Sequence, residues 1–272
     1  MICSREYVIK KMAELMIKPK NKYSQNFLTD YDVVKKSVDS LNLDPQDVVL
    51  EIGPGLGALS EEILNRGNSL YAFEIDENMI SHLQVCFAKR NNFHLIPGDF
   101  LKQDLISFCD KDVRVISNIP YSLTTPIIEK VITAKLKIKS FVFMIQKEVS
   151  ARLNAKINTK EYSPLSIMID FLGKLEVVTK VNRDKFIPSP NVDSIVLKLT
   201  FNQDRDFNKE KKLFSLLKNS FAMRRKTILN NLTAYLHCKE KAETILNKAN
   251  ILYNLRPEQL SLKQFIDLMN LI

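Results

Sequence analysis

The chain has no tryptophan and, over 272 residues, only four cysteines, three histidines and six glycines. The cysteines (Cys3, Cys86, Cys109, Cys238) show no CxxC spacing, and the histidines do not cluster with them. That argues against a zinc site or a disulfide framework and for reduced, buried thiols in a cytosolic protein. Apolar runs are only a few residues long, whereas spanning a bilayer needs about 20. The first 20 residues, "MICSREYVIKKMAELMIKPK", are charged throughout and lack the apolar core of a signal peptide. The expectation is a cytoplasmic chain with no membrane segment and no metal. Internal repeats and low-complexity tracts are also missing.

What is present is globular: 45% hydrophobic and 26% charged residues, enough for one large domain and a smaller one. The net charge of +9 is unevenly placed. Residues 1–40 carry eight Lys/Arg against five Asp/Glu, residues 41–200 carry 19 against 19, and residues 201–272 carry 13 against seven. A neutral middle between basic ends reads as a catalytic body with extensions that face a polyanion. A lysine-rich surface kept for solubility explains the total charge equally well.

From Asp47 onward, short apolar runs alternate with amphipathic stretches. "DVVLEIG", "NSLYAFEID", "NFHLIPGD", "DVRVISNIP" and "KSFVFMIQKE" read as strands, and "KLEVVTKV" and "SIVLKLTF" close the series. "ALSEEILNRG", "ENMISHLQVCFAKR", "TTPIIEKVITA" and "SPLSIMIDFLG" read as helices between them. This alternation predicts an α/β fold with a doubly wound, mainly parallel sheet covered on both faces. The last ~70 residues read as helices only, including "KEKKLFSLLKNSFAMRRKTILNNLTAYL". The change of period puts a boundary near 201–207. The expected domains are 1–203, with residues 1–20 read as a flexible extension, and a small all-α domain at 204–272.

"VLEIGPGLGALS" runs from a buried strand into a helix, with Gly53, Gly55 and Gly57 spaced G-x-G-x-G. Glycines permit a tight turn and let backbone N–H groups approach a ligand. Alone, the loop is also explained by a strand-to-helix turn without a ligand. A dinucleotide fingerprint needs G-x-G-x-x-G, and Glu51 ahead of the loop would repel a pyrophosphate. The following strands add specificity. Glu74 ends the second strand about 20 residues beyond the loop, where a carboxylate faces a ribose in doubly wound sheets. Asp99 ends the third strand, where it can accept from an adenine amino group. "SNIPY" ends the fourth. Each acid taken singly could be a helix cap; four strand ends converging on one crevice is the preferred ligand site of open α/β sheets.

With these motifs the chain resembles S-adenosylmethionine-dependent methyltransferases of the doubly wound, Rossmann-like class. Among these it is similar to the ribosomal RNA adenine N6-dimethyltransferases. The resemblance covers nearly the whole chain: "KPKNKYSQNFLTD", "LEIGPGLGALS", "FEIDENMI", "GDFLKQD", "SNIPYSLTTPII", "FMIQKEVSARL", "FIPSPNVDSIVLKL" and "FAMRRKTILNNL". It implies S-adenosylmethionine as cofactor. Asn26 and Leu28 would close over it, Gly53 and Gly55 would lie against its methionine end, and Glu74 with Ile75 would hold the ribose. Asp99 with Phe100 would take the adenine, and Asn118 would stand beside the sulfonium methyl.

The chemistry explains the sequence Asn118-Ile119-Pro120-Tyr121. An adenine amino nitrogen is a poor nucleophile because its lone pair is delocalised into the ring. Two acceptors aimed at its N–H bonds favour pyramidalisation and stabilise the developing charge. The Asn118 side-chain oxygen and the Ile119 carbonyl are the candidates. Pro120 lacks an N–H and biases Ile119 toward an extended conformation. Tyr121 offers a ring on which a flipped base stacks. Phe186, in "KFIPSPNVDS", is the candidate for the base's other face; the alternative is that it anchors a loop.

At the basic ends, Lys18, Lys20 and Lys22 near the cofactor entrance and Arg224, Arg225 and Lys226 at the start of a C-terminal helix can neutralise RNA phosphates; the alternatives are a solvated charged face for each cluster, or Arg224 and Arg225 packing their stems between the domains. The tail "RPEQLSLKQFIDLMN" and "PNVDS" resemble the small-subunit branch. The resemblance therefore implies dimethylation of two adjacent adenosines near the 3′ end of 16S ribosomal RNA. The substrate would be an immature small subunit and the enzyme a monomer. The alternatives are a 23S adenine methyltransferase of the macrolide-resistance type and a non-catalytic ribosome-assembly factor.

Overall fold

The computed structural model describes residues 1–16 and 26–272. In chain order its elements begin with α1 (Arg5–Glu14), β1 (Phe27–Leu28), α2 (Tyr31–Ser40), β2 (Val48–Ile52) and α3 (Ala58–Asn65). β3 (Ser69–Glu74), α4 (Glu77–Cys86), β4 (Phe93–Pro97), β5 (Asp112–Asn118), α5 (Thr124–Ile132) and β6 (Lys137–Gln146) follow. Next come α6 (Lys147–Leu153), α7 (Pro164–Leu172), β7 (Gly173–Val181), β8 (Phe186–Ile187) and β9 (Ser194–Phe201). Four further helices complete the chain: α8 (Phe207–Ser220), α9 (Ile228–Leu236), α10 (Lys239–Lys248) and α11 (Leu262–Leu271).

Seven strands form one sheet in the order β4-β3-β2-β5-β6-β9-β7. β2 pairs in parallel with β3 and β5, as do β3 with β4 and β5 with β6, while β9 runs antiparallel to β6. β2 is buried at all five residues, as expected of a central parallel strand covered on both faces. From β2 the chain builds outward to β3 and β4, then returns to β2's other side with β5. This reversal opens a crevice at the carboxyl ends of the strands. The doubly wound α/β architecture read from the alternating pattern is the one observed.

The chain divides into two compact units, Met1–Ser150 with Lys174–Phe201, and Ala151–Gly173 with Asn202–Ile272. The sequence division at 203/204 differs in leaving 151–173 with the first unit. The reason is packing within the second unit. Tyr162 meets the Phe221 ring at 6.4 Å, Phe221 meets Phe265 at 6.0 Å, and the Leu172 carbonyl accepts from Asn202 N–H at 2.9 Å.

Two local readings also change. The helical stretch ending at Leu236 is broken between α8 and α9. Asn231, 1% exposed, accepts from the Met223 N–H at 2.9 Å and donates to the Met223 and Thr227 carbonyls, so 221–226 form a turn that Thr227 follows as the cap of α9. Arg224, Arg225 and Lys226 sit in that turn, ahead of the helix. At the other end, the segment read as a flexible extension contains α1. Ser4 caps it by accepting from the Tyr7 N–H, and Ile2, Cys3 and Val8 are buried in the core of the first unit.

Candidate functional site

The glycine loop links β2 to α3 with positive φ at Gly53, Gly55 and Gly57. At Gly57 the need is double: φ is +92°, and a Cβ would lie 2.9 Å from the Phe87 ring and 3.1 Å from Leu83. The loop therefore packs directly onto α4 and the turn after it. At Gly53 the surroundings are the opposite, with φ +68° and no atom within 4 Å of a Cβ. Gly53 leaves open space beside the chain; Gly57 removes bulk where the loop packs.

Gly53 also lines a cavity of about 200 Å³ in the first unit. Its wall carries residues from the ends of four adjacent parallel strands: Gly53 after β2, Glu74 from β3, Asp99 after β4 and Asn118 from β5. Asn26, Leu28, Gly55, Ile75 and Phe100 line the same cavity, as do Ile119, Pro120 and Tyr121.

Glu74 is 6% exposed and is held by main-chain donors. Its Oε2 accepts from Gly55 N–H at 3.1 Å, and its Oε1 accepts from Ile75 and Asp76 N–H, each at 2.9 Å. Burial pushes its carboxyl above the usual range, and the three N–H groups oppose that shift. Asp99 Oδ1 accepts from Leu101 N–H at 3.0 Å, which fixes the turn after β4. Phe100, edge-on to Phe73 at 5.2 Å, supplies an apolar wall beside it.

Asn118 ends β5. Its Nδ2 donates to the Asn26 carbonyl at 3.3 Å, so the side chain's acceptor, Oδ1, is the atom left for other partners. The Ile119 N–H is engaged with the Met144 carbonyl at 3.1 Å, which anchors the segment to β6. Pro120 then turns the chain with φ −55° and ψ 126°. Tyr121 is tied by its hydroxyl to Ser194 Oγ at 2.8 Å, and Ser194 is fully buried at the start of β9. Burial raises the Tyr121 hydroxyl above its ordinary range. The Tyr121 ring is thereby steered from both ends of its side chain.

Phe186 lies apart from these residues. It does not line the cavity; it is 2% exposed within the core of the first unit. β8 pairs antiparallel with β1, Phe186 opposite Leu28, and this ribbon turns Phe186 into the core. Phe27, its near neighbour in the ribbon, does line the cavity, and its Cε1 lies 3.3 Å from where a Gly55 Cβ would stand. Lys18, Lys20 and Lys22 lie outside the described residues. Arg224, Arg225 and Lys226 belong to the second unit and are exposed, with Arg224 Nη2 donating to the Lys160 carbonyl at 2.6 Å.

Several further residues line the cavity, Ile2, Val8 and Glu51 among them. Ile2 and Val8 come from the N-terminal segment. Glu51, in the middle of the buried β2, is 1% exposed and accepts from Ser60 Oγ at 2.5 Å. Burial, reinforced by neighbouring Glu74 and opposed by the Ser60 hydrogen bond, pushes its carboxyl up to about 8. An acid inside an otherwise apolar central strand was the available signal.

Residues 16–272 match the model of a family described as Ribosomal RNA adenine dimethylase. The chain is 38% identical over 263 residues to a protein of Levilactobacillus brevis named Ribosomal RNA small subunit methyltransferase A, covering 92% of this chain and 89% of that one. It is 40% identical over 245 residues to the protein of the same name from Clostridium botulinum, covering 89% of each. A crystal structure of a dimethyladenosine transferase from Plasmodium falciparum superposes with a TM-score of 0.73 at 27% identity, covering 89% of this chain and 95% of that one. No helix among the described residues is long and apolar enough to cross a membrane.

Proposed function

The chain belongs to the ribosomal RNA adenine dimethylase family, and from that premise we propose that it dimethylates N6 of two adjacent adenosines in the 3′-terminal hairpin of 16S ribosomal RNA. Its cofactor is S-adenosylmethionine, its substrate an immature small subunit, and it acts as a cytoplasmic monomer. The observation that carries the reading is the single cavity onto which Gly53, Glu74, Asp99 and Asn118 converge from four strand ends.

The residues present fit the cofactor. Glu74 is a nearly buried carboxylate beside the glycine-loop N–H of Gly55, placed to accept from two ribose hydroxyls. Asp99 beside Phe100 offers an acceptor and an apolar face for adenine. The open space at Gly53 admits a ligand against the backbone. When bound, the cofactor supplies an electrophilic methyl group.

The chain's own residues then prepare the nucleophile. With Nδ2 committed to the Asn26 carbonyl, Asn118 presents Oδ1 to one N–H of the target amine. The Ile119 carbonyl takes the other, its direction set by the Met144 anchor and by Pro120. These acceptors are in place before reaction, so they stabilise charge developing on nitrogen without reorganising. Tyr121, steadied by Ser194, carries the flipped base; such stacking contributes roughly 1–3 kcal/mol. Positioning then supplies most of the acceleration. No strong base is needed, since the methylated amine readily loses its proton to water. Arg225 and Lys226, exposed on the second unit, bind phosphates and place the RNA without reading its sequence.

The test incubates the chain with unmethylated small subunits and methyl-labelled S-adenosylmethionine, then maps the products. N6,N6-dimethyladenosine at two adjacent positions near the 16S 3′ end is the expected result. Label on 23S RNA alone, or no incorporation, overturns the proposal.

A further inference from the structure

One wall of the cavity is not used by the chemistry above. Ile2 and Val8 line it, and both precede residue 16, where the family match begins. The wall is firmly built. Val8 is 1% exposed, Cys3 3% and Ile2 7%, and α1 packs on β8, the strand paired with β1. The Ile2 N–H donates to Glu61 Oε2 at 2.9 Å. The Tyr7 hydroxyl lies 3.5 Å from Cys86 Sγ at the end of α4; Cys86 Sγ lies 3.4 Å from His82 Nε2, which is 3.3 Å from the Leu56 carbonyl in the glycine loop.

These anchors also say which end of the cavity is covered. Glu61 is in the first turn of α3, directly after the glycine loop, and Leu56 is within that loop. Both ties of the N-terminal segment therefore lead to the glycine-loop end. An apolar side chain held against a cavity excludes water from it and removes one path by which a ligand leaves.

We infer that the N-terminal segment is a cofactor-retaining wall, in which Ile2 and Val8 close the glycine-loop end of the cavity. The inference rests on the S-adenosylmethionine reading above, in which that end takes the amino-acid part of the cofactor. That part is common to S-adenosylmethionine and its demethylated product, S-adenosylhomocysteine. The wall therefore retains both alike and does not discriminate the methyl group.

The test measures affinity and dissociation rate of both compounds by calorimetry and rapid displacement, for the full chain and for a variant lacking residues 1–14. Loss of the wall is expected to weaken both at least tenfold, mostly through faster dissociation. A folded deletion variant with unchanged affinity and rate overturns the inference, and so does a loss confined to S-adenosylmethionine. Should the deletion variant not fold, amide hydrogen exchange on the full chain decides. Saturating S-adenosylhomocysteine should slow exchange across residues 2–14, and no slowing there overturns the inference. Failure of the full chain to bind either compound would instead overturn the cofactor reading on which the wall depends.

Discussion

Asn118 is placed by two constraints at once: the last position of a buried parallel strand and a hydrogen bond to Asn26. In the proposed mechanism, replacing it with alanine removes an acceptor from the target amine but no group assigned to the cofactor's ribose or adenine. Asn118→Ala should lower turnover by about 100-fold or more, the usual effect of losing one preorganised partner. Cofactor affinity in a calorimetric titration should stay within a few-fold. Tyr121 separates two roles. Tyr121→Phe keeps the ring proposed to stack on the base and loses the tether to Ser194, whereas Tyr121→Ala loses both. KM for the RNA should rise modestly in the first and strongly in the second, with cofactor binding kept in each. Glu51 makes a different kind of prediction, because its carboxyl is raised from 4.5 to about 8 by burial. The native state then holds a proton that the unfolded state has released, so stability is fully present below pH ~4.5 and falls as pH rises toward 8. The loss is on the order of a few kcal/mol. Glu51→Gln should melt near the wild-type temperature at pH 5 and clearly above it at pH 8.5.

At the scale of elements, the three loop glycines look equivalent in sequence and are not equivalent in space. Gly57→Ala drives a Cβ into Phe87 and Leu83, and with the left-handed φ it should cost roughly 1–3 kcal/mol. Gly53→Ala meets no neighbour, and residue 53 lines the cavity. Thermal melting should fall further for Gly57→Ala, and cofactor affinity further for Gly53→Ala. The strand ends were legible because each apolar run stops at a polar residue: Glu74, Asp99 and Asn118 are visible as breaks in hydrophobic periodicity. The break between α8 and α9 was not legible, since "SFAMRRKTIL" keeps helical composition. It arises from Asn231 bonding back to Met223 and Thr227, a contact between positions eight apart for the first pair. The two-stranded ribbon of β1 and β8 was hidden too, because its partners are separated by more than 150 residues.

For the whole molecule, charge is the property that acts at long range. The basic excess of the last 72 residues is largely lysine and arginine on exposed positions. Within the turn at 221–226, Arg224 is engaged with the Lys160 carbonyl, so Arg225 and Lys226 should carry more of the RNA contact. Arg225→Ala combined with Lys226→Ala should reduce the slope of log affinity against log salt by about 1.4–1.8, from 0.7–0.9 per phosphate contact. Filter binding of the full chain to its RNA between 50 and 200 mM salt, a range over which such contacts weaken by orders of magnitude, measures it.

The sequence by itself determined what depends on local pattern: alternating apolar runs, a glycine loop, and polar residues ending three successive strands. Those features settle the fold class and the strand-end positions of Glu74, Asp99 and Asn118, because strand period and turn chemistry act over a few residues. Tertiary structure alone decided which residues share the cavity. It brought Ile2 and Val8 to that wall and gave the 151–173 segment to the helical unit. It also turned Phe186 into the core and buried Glu51 until its carboxyl keeps a proton near neutrality. Each of these follows from packing between segments far apart in the chain, where burial and close approach are set by partners that no local window contains.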